Sequence, residues 1–146
     1  MPKVLFSVSL SEKEQFDDSG KDNVEFLIAS NSGEQLKPLS GSASGGELSR
    51  VMLAIKCAVA GADETDTLIF DEVDTGVSGK TSGKIGIKLK QASISAQVLT
   101  VTHSAQIASL AHHHLLVKKD ENNGRHETRL VELDDEGRIA EVSRIL

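Results

Sequence analysis

Residues 40–50, SGSASGGELSR, decide how the chain is interpreted. Two adjacent glycines, Gly45 and Gly46, stand just before a run of apolar residues at helical spacing that begins at Leu48. Glycines let a backbone approach a ligand closely, and the first-turn amides and dipole of a helix attract an anion. Ser44 adds a hydroxyl donor. The segment therefore predicts a helix start that binds an anion, although a plain serine cap followed by a loose turn explains it equally well.

The composition is that of one α/β domain. A compact domain of 146 residues buries roughly two-thirds of its unfolded surface. Aromatic residues make up 3% of the chain and Trp and Tyr are missing, so the core has to be built from Val, Ile, Leu and Ala. The net charge of −6 argues against a surface dedicated to nucleic acid, because neutralising phosphates requires clustered Lys and Arg.

Cysteine usage and hydropathy indicate a cytoplasmic protein without membrane contact. The one cysteine, Cys57, cannot form an internal disulfide, and its apolar helical surroundings favour a small buried residue over a reactive thiol. No signal peptide is visible at the N-terminus, and no apolar run approaches the roughly 20 residues that cross a bilayer.

Strands precede the glycine-rich segment, and strands alternating with helices follow it. Residues 3–10 and 24–29 are predicted to pair as antiparallel strands, with an exposed loop over residues 11–23 and a strand end at residues 31–33. The strand–helix–strand order from Thr67 onward predicts a parallel sheet with right-handed crossovers. Helices are predicted over residues 44–60 (with Gly61 as C-cap), 82–93, 104–110 and 137–146, and strands over 67–70, 97–101, 114–118 and 127–133.

Two adjacent carboxylates, Asp71 and Glu72, follow the short apolar run 67–70, which is predicted to be a buried central strand. Parallel sheets bind ligands at the carboxyl ends of their strands. Since neighbours on a strand face opposite ways, one acid is expected to hold Mg²⁺ and the other to polarise a water for attack on phosphate. Two solvated acids at a strand end are the alternative.

His103 ends the next predicted strand, directly after Thr102. If that strand lies beside the first, the imidazole reaches the same crevice, where it can contact a terminal phosphate. The three consecutive histidines 112–114 are a weaker signal, because on a strand they cannot all face one metal ion. The charged turn KKDENNGRHE at residues 118–127 is expected to be a solvated hairpin, although its Lys118, Lys119 and Arg125 could form a minor DNA contact.

The loop that grips the phosphates in nucleotide-triphosphate enzymes is absent from this sequence. Residues 76–81, GVSGKT, end in its Gly-Lys-Thr, but the pattern G-x-x-x-x-G-K-[ST] needs a glycine where Asp74 stands. No other position satisfies the pattern.

Together these segments resemble the C-terminal half of an ABC-type ATPase head, of the kind found in SMC proteins and their relatives. Within that superfamily, the motif sequences are most similar to those of a family of bacterial DNA-repair proteins. SASGGELSR is similar to the signature motif, LIFDEVD to the Walker B strand, DTGVSG to the D-loop and VTHS to the switch-histidine segment. Gly41 stands where relatives often have a basic residue. The resemblance implies the C-terminal lobe of an ABC-type (P-loop NTPase) head, with a mostly parallel sheet flanked by helices and a small antiparallel portion.

The resemblance also implies the ligands, which are ATP and Mg²⁺, and a role for each site residue. Ser44, Gly45, Gly46 and Glu47 would contact the γ-phosphate of ATP on the opposite head of a dimer. Glu72 would be the general base, His103 would sense the γ-phosphate, Asp71 would help to coordinate Mg²⁺, and Asp74 would lie in the D-loop at the dimer seam.

In such proteins the Walker A and Q-loop lie in an N-terminal half beyond a long coiled coil. Residues 1–146 are therefore expected to be a single partial domain, either an expressed fragment or one piece of a split protein. The implied partners are the N-terminal half of the same head, a second head in an ATP-sandwiched homodimer, and DNA, in a cytoplasmic protein associated with the nucleoid. The alternatives are a head segment of another SMC/ABC-type ATPase and a non-catalytic module that binds a partner.

Overall fold

The computed structural model describes residues 4–29, 31, 33–42, 44–59, 65–122 and 125–146. The chain divides into two compact units, Met1–Ser44 and Gly45–Leu146. The first unit contains β1 (Leu5–Asp17), β2 (Gly20–Ala29), β3 (Lys37–Pro38) and α1 (Leu39–Ser42). The second contains α2 (Gly45–Ala58), β4 (Thr67–Phe70), α3 (Gly79–Ala92), β5 (Gln97–Thr100), α4 (Ala105–Ala108), β6 (Leu115–Asn122), β7 (Arg125–Glu132) and α5 (Asp135–Arg144).

The first unit is built on a long antiparallel hairpin of β1 and β2. Its register runs from Leu5 opposite Ala29 to Glu12 opposite Asp22, and β3 adds two residues beside β2. The antiparallel pairing is confirmed. The predicted loop over residues 11–23 is wrong, because both strands continue through it and only the turn at residues 18–19 separates them.

Side-chain chemistry at the turn explains why this polar stretch is extended. The Asp17 carboxylate accepts hydrogen bonds from the Ser19 amide at 2.9 Å and from the Lys13 ammonium at 2.8 Å. The pKa of Asp17 is lowered from its usual value, mainly by the hydrogen bond from Lys13 and to a smaller extent by those from Ser19, because these bonds stabilise the ionised carboxyl. Gly20, the first residue of β2, has a φ of 92°, a conformation that residues with a side chain rarely adopt. The turn thus specifies a hairpin without apolar alternation.

The second unit contains the parallel pair that positions the candidate site. β4 and β5 run in register from Thr67 opposite Gln97 to Phe70 opposite Thr100, so the predicted parallel pairing is confirmed. The prediction of a buried central strand is wrong for this chain, because Ile69 is 71% exposed. The helices pack against the face that carries Leu68 and Phe70, and the described residues leave the opposite face uncovered.

The core of the second unit lies where three helices meet that covered face. Cys57 is half-buried against this core, in keeping with its predicted role as a small apolar residue. The buried members of the core are Leu53, Phe70, Val73, Ile85, Leu89, Ala92 and Ile107.

The remaining helices and strands match the predicted types but not all of the predicted ends. α2 ends at Ala58, and its predicted cap Gly61 lies outside the described residues. α3 begins at Gly79, so the Gly-Lys-Thr run forms its first turn. The β6–β7 hairpin and α5 are confirmed. None of the helices within the described residues is both long and apolar enough to span a membrane.

Removal of the Leu89 side chain should destabilise the second unit far more than removal of its exposed neighbour. Leu89 is 5% exposed and Ile87 is 54% exposed on the same helix. Leu89→Ala should lower the free energy of unfolding by about 2–5 kcal/mol, because it leaves a cavity in the core. Ile87→Ala should change it by less than about 0.5 kcal/mol. Urea unfolding of both variants measures the difference, and equal losses would contradict this arrangement of the core.

Candidate functional site

The two acidic residues lie in a tight turn that follows β4, and residues 71–75 are called the acidic turn below. β4 ends at Phe70, and Glu72 has a φ of 56°. This left-handed conformation costs a non-glycine residue about 1–3 kcal/mol, so surrounding contacts have to maintain it. The Thr75 amide closes the turn by donating to the Glu72 carbonyl at 3.0 Å. The expectation that Asp71 and Glu72 lie on a strand and face opposite ways is wrong, because both residues follow the end of β4. Both side chains are exposed to solvent.

The first turns of α2 are attached to the acidic turn by hydrogen bonds. The Ser49 hydroxyl donates to the Asp71 carbonyl at 2.7 Å. The Arg50 guanidinium donates through Nη1 to the carbonyls of Val73 at 3.3 Å and Thr75 at 3.0 Å. Hydrogen bonds from a charged donor are stronger than those between neutral groups. The start of α2 and the acidic turn therefore form one hydrogen-bonded assembly.

The two adjacent glycines, Gly45 and Gly46, lie against Glu72. Gly46 is buried and Gly45 is exposed. A Cβ atom on Gly46 would lie 2.8 Å from the Glu72 carbonyl oxygen, and one on Gly45 would lie 3.0 Å from Glu72 Oε2. Gly46 is thus required by a backbone contact within the chain itself, whereas the atom nearest to Gly45 is the end of a flexible side chain. Of the flanking residues, Ser44 is exposed and Glu47 is half-buried in the first turn of α2, where the helix dipole favours an acid.

Asp74 connects the acidic turn to the segment after β5. Asp74 is 4% exposed, so its carboxylate is buried. Oδ2 accepts hydrogen bonds from the Thr102 hydroxyl and from the His103 amide, the latter at 3.2 Å. The His103 imidazole is 81% exposed, and its Nδ1 lies 3.7 Å from the same oxygen. The ends of the two parallel strands therefore lie side by side, which is the condition under which His103 reaches the same crevice, and a role of His103 toward phosphate stays a prediction.

Sequence reasoning assigned no role to Ser49 and Arg50, which attach α2 to the acidic turn. Arg50 lies four residues after buried Gly46 and three residues before buried Leu53, on the same face of the helix. A charged residue within a buried stripe indicates a polar partner, and this was the signal that could have identified it.

The two weaker candidate clusters lie apart from these contacts. His113 Nδ1 lies 3.0 Å from Glu132 Oε1, and the described residues contain no group of three or more His, Cys, Asp or Glu side chains placed to hold a metal ion. Lys118 and Lys119 are exposed on β6, whereas the side chain of Arg125 lies outside the described part of the structure. A DNA contact at this hairpin stays a prediction.

The fold is that of an SMC-type ATPase head. A structure from work on ATP-driven dimerization and DNA-stimulated activation of SMC ATPases superimposes with a TM-score of 0.53 and 19% identity, over 94% of this chain and 81% of the other. The Smc head of Pyrococcus furiosus, bound to the C-terminal domain of ScpA, gives a TM-score of 0.63 and 20% identity, over 99% of this chain and 34% of the other. The predicted fold class, an α/β ATPase head, is confirmed. The expected predominance of parallel strands is not seen among the described residues, where β4 and β5 form one parallel pair and the other two small sheets are antiparallel.

Bacterial relatives identify the branch of that class. The DNA repair protein RecN of Bacillus subtilis is 47% identical over 132 residues, which are 90% of this chain and 23% of the relative. RecN of Vibrio cholerae is 44% identical over 147 residues, which are 100% of this chain and 26% of the relative. No family model matches the chain. The chain belongs with the RecN proteins and spans about a quarter of the length of the curated relatives it matches.

Gly46→Ala should destabilise the chain although alanine is the better helix former. The new methyl group would lie 2.8 Å from a backbone oxygen, which cannot move aside as a flexible side chain can. We expect a net loss of about 1–3 kcal/mol, typical of overpacking. Gly83→Ala in α3 is the matched control, because nothing lies within 4 Å of the position that its methyl group would occupy. It should gain about 0.5–1 kcal/mol from helix propensity. Urea unfolding of both variants tests this, and a stabilised Gly46→Ala would contradict the packing.

Proposed function

We propose that this chain is part of the ATP-hydrolysing head of a RecN-type protein that acts in bacterial DNA double-strand-break repair and recombination. Within that head it supplies the signature motif, the Walker B strand, the D-loop and the switch histidine. The observation that carries the proposal is the single assembly formed by the start of α2, the acidic turn and the His103 segment. As part of a RecN-type protein it would work in the cytoplasm, on the nucleoid.

The acidic turn supports a role in hydrolysis. Asp71 and Glu72 expose two carboxylates at the end of a strand of a parallel pair, and Mg²⁺ is a hard cation that binds to oxygen atoms such as those of carboxylates. The residues present therefore fit the ion, and Asp71 would hold it. Bound Mg²⁺ would supply charge neutralisation on the phosphate oxygens. Glu72 would accept the proton of the attacking water, and its backbone conformation is maintained by the contacts of the turn.

The start of α2 supports contact with a nucleotide on a second head. Ser44 and Gly45 are exposed, and α2 is 14 residues long, so that its first turn carries a developed positive dipole. These residues, together with Glu47, would line the γ-phosphate of the partner head's ATP. Gly46 would contribute by letting the helix start lie against the acidic turn. His103 would contact the γ-phosphate of the nucleotide on its own head.

Exposed apolar faces support a second half of the head as a partner. On the β1–β2 hairpin, Phe6 and Phe26 stack at 5.7 Å and lie on one face with other apolar residues, all of them at least 40% exposed except Ile28. In the other unit, Ile69 and Leu99 are exposed on the uncovered face of the parallel pair. Apolar surface of this extent marks an interface. The hairpin face consists of Phe6, Val8, Leu10, Val24, Phe26 and Ile28.

The Walker A-bearing half would cover these faces and complete residues 1–146 as one head domain. A second head and DNA are the further proposed partners, by analogy with SMC ATPases whose dimerization is ATP-driven and whose activation is DNA-stimulated.

The isolated chain should have no appreciable ATPase activity, because its sequence contains no Walker A motif, the loop that binds the phosphates of the nucleotide. Mixing it with the Walker A-bearing half of the same protein should produce turnover. In that mixture Glu72→Gln should leave ATP bound and lower hydrolysis by about 10²–10⁴-fold, as expected for loss of a general base. Phosphate release and retention of labelled ATP are the two measurements.

Glu136→Gln on α5 is the matched control, since it removes the same charge from an exposed position outside the site. It should leave hydrolysis unchanged. Robust hydrolysis by the purified chain alone, or equal losses in Glu72→Gln and Glu136→Gln, would contradict the proposed function.

A further inference from the structure

The Asp74 carboxylate is buried without a strong countercharge. Its side chain is 2% exposed, and among the described residues only His103 lies within ion-pair distance of it, at 3.7 Å. Taking an ionised carboxylate out of water is costly unless hydrogen bonds and opposite charge compensate. An apolar side chain of similar size would cost less in a structure selected for stability alone. A carboxylate buried with so little compensation therefore indicates a task at this position other than stability.

The two oxygens of Asp74 are used unequally. Oδ2 receives both hydrogen bonds, from the Thr102 hydroxyl and the His103 amide. Oδ1 is buried and has no hydrogen-bond partner among the residues that the structure describes. Within the described part of the chain, all of the compensation thus comes from one short segment, residues 102–103, at the end of β5. The carboxylate is placed to hold that segment.

The hydrogen bonds continue past His103 on the other side. The Thr102 hydroxyl accepts from the Ser104 amide at 3.0 Å, and the Ser104 carbonyl accepts from the amides of Ile107 and Ala108 in α4. The backbone is therefore held at His103 and at the residue after it. The imidazole is left 81% exposed, so a fixed backbone presents an accessible ring.

We propose that Asp74 is a positioning residue, which holds the backbone of His103 so that the exposed imidazole meets the nucleotide in a set orientation. The inference rests on the proposed function and deepens it. It also assigns Asp74 a task inside the head, where the resemblance implied one at the dimer seam. A catalytic group must be held within a fraction of an ångström, since a misplacement of about 1 Å can cost about a hundredfold in rate.

The position of His103 also depends on α2. Asp74 stands between Val73 and Thr75, whose carbonyls both accept from Arg50. The helix that carries Gly45 and the strand end that carries His103 are thus attached to opposite sides of one short turn. A displacement of α2 would move Asp74 and, through its hydrogen bonds, the segment that holds the imidazole.

Amide hydrogen exchange in this chain tests the contact directly and needs no ATPase activity. Asp74→Ala removes the acceptor, so the His103 and Ser104 amides should exchange at least about tenfold faster, as expected for local opening. Asp74→Asn keeps a carbonyl oxygen that can accept both bonds, and its exchange rates should stay closer to those of the unaltered chain than to those of Asp74→Ala. Asp66→Ala, at an exposed position before β4, is the control and should leave both rates unchanged.

Thr102→Val keeps the test decisive if Asp74→Ala does not fold. It replaces the hydroxyl by a methyl group of similar size, so the Ser104 amide loses its acceptor and should exchange faster. Unchanged rates in Asp74→Ala, or in Thr102→Val when Asp74→Ala does not fold, would overturn the inference. Equal acceleration in Asp74→Ala and Asp74→Asn would also overturn it.

Turnover in the complete RecN-type protein tests the consequence for the reaction. Asp74→Ala should lower turnover by about tenfold to a hundredfold, and Asp74→Asn should lose less. Adding Asp74→Ala to His103→Ala should cause no further loss, because residues that act through one another are not additive. Additive losses would overturn the positioning role.

Absence of hydrolysis by the unaltered complete protein would overturn the proposed function and, with it, the part of the inference that concerns the reaction. The exchange rates would still show whether Asp74 holds His103, so the two failures can be told apart.

Discussion

The hydrogen bonding of the acidic turn, residues 71–75, is the constraint on which the candidate site depends. Backbone carbonyls on one side of the turn accept from Ser49 and Arg50 of α2. On the other side, the Asp74 carboxylate accepts from the segment after β5. These contacts offset the strain of a left-handed Glu72. The acidic turn therefore connects two parts of the site by hydrogen bonds. One is the N-terminus of α2, which could bind an anion, and the other is the end of β5, where the His103 imidazole is exposed.

The acidic turn is also packed against the core of the second unit. Val73, the residue between the two contact-forming positions Glu72 and Asp74, is fully buried among the helices. The turn is thus anchored by apolar burial as well as by hydrogen bonds, while its acidic side chains at positions 71 and 72 remain exposed. Rigid support beneath exposed polar groups is the usual arrangement of a site that handles a charged ligand. In the proposed function, the exposed apolar faces of the hairpin and of the parallel pair are the surfaces that the Walker A-bearing half would cover.

Much of the architecture could be predicted because local patterns carry it. The runs 67–70 and 97–101 are predicted as strands of one parallel sheet, since short apolar runs separated by a helical stretch have few other arrangements, and the structure pairs Thr67–Phe70 with Gln97–Thr100 in parallel. Residues 11–23 were predicted wrongly as a loop, because the hairpin there depends on turn hydrogen bonds at Asp17 and not on apolar alternation. The exposure of Ile69 also escaped prediction, since an apolar run specifies burial only when protein is present on both faces.

The sequence by itself determined the motifs and the types of the helices and strands, because these follow from residue type and spacing within short windows, and the resemblance of its motifs to ABC-type heads implied the fold class. Only the tertiary structure decided that Asp74 is buried and bonded to residues 102–103, that Arg50 binds the acidic turn, and that Gly46 lies against Glu72. The hydrogen-bonded partners Arg50 and Thr75 are 25 positions apart in the chain, and Asp74 and His103 are 29 apart. No periodicity records such contacts, because they arise when β4, β5 and α2 are packed around one core.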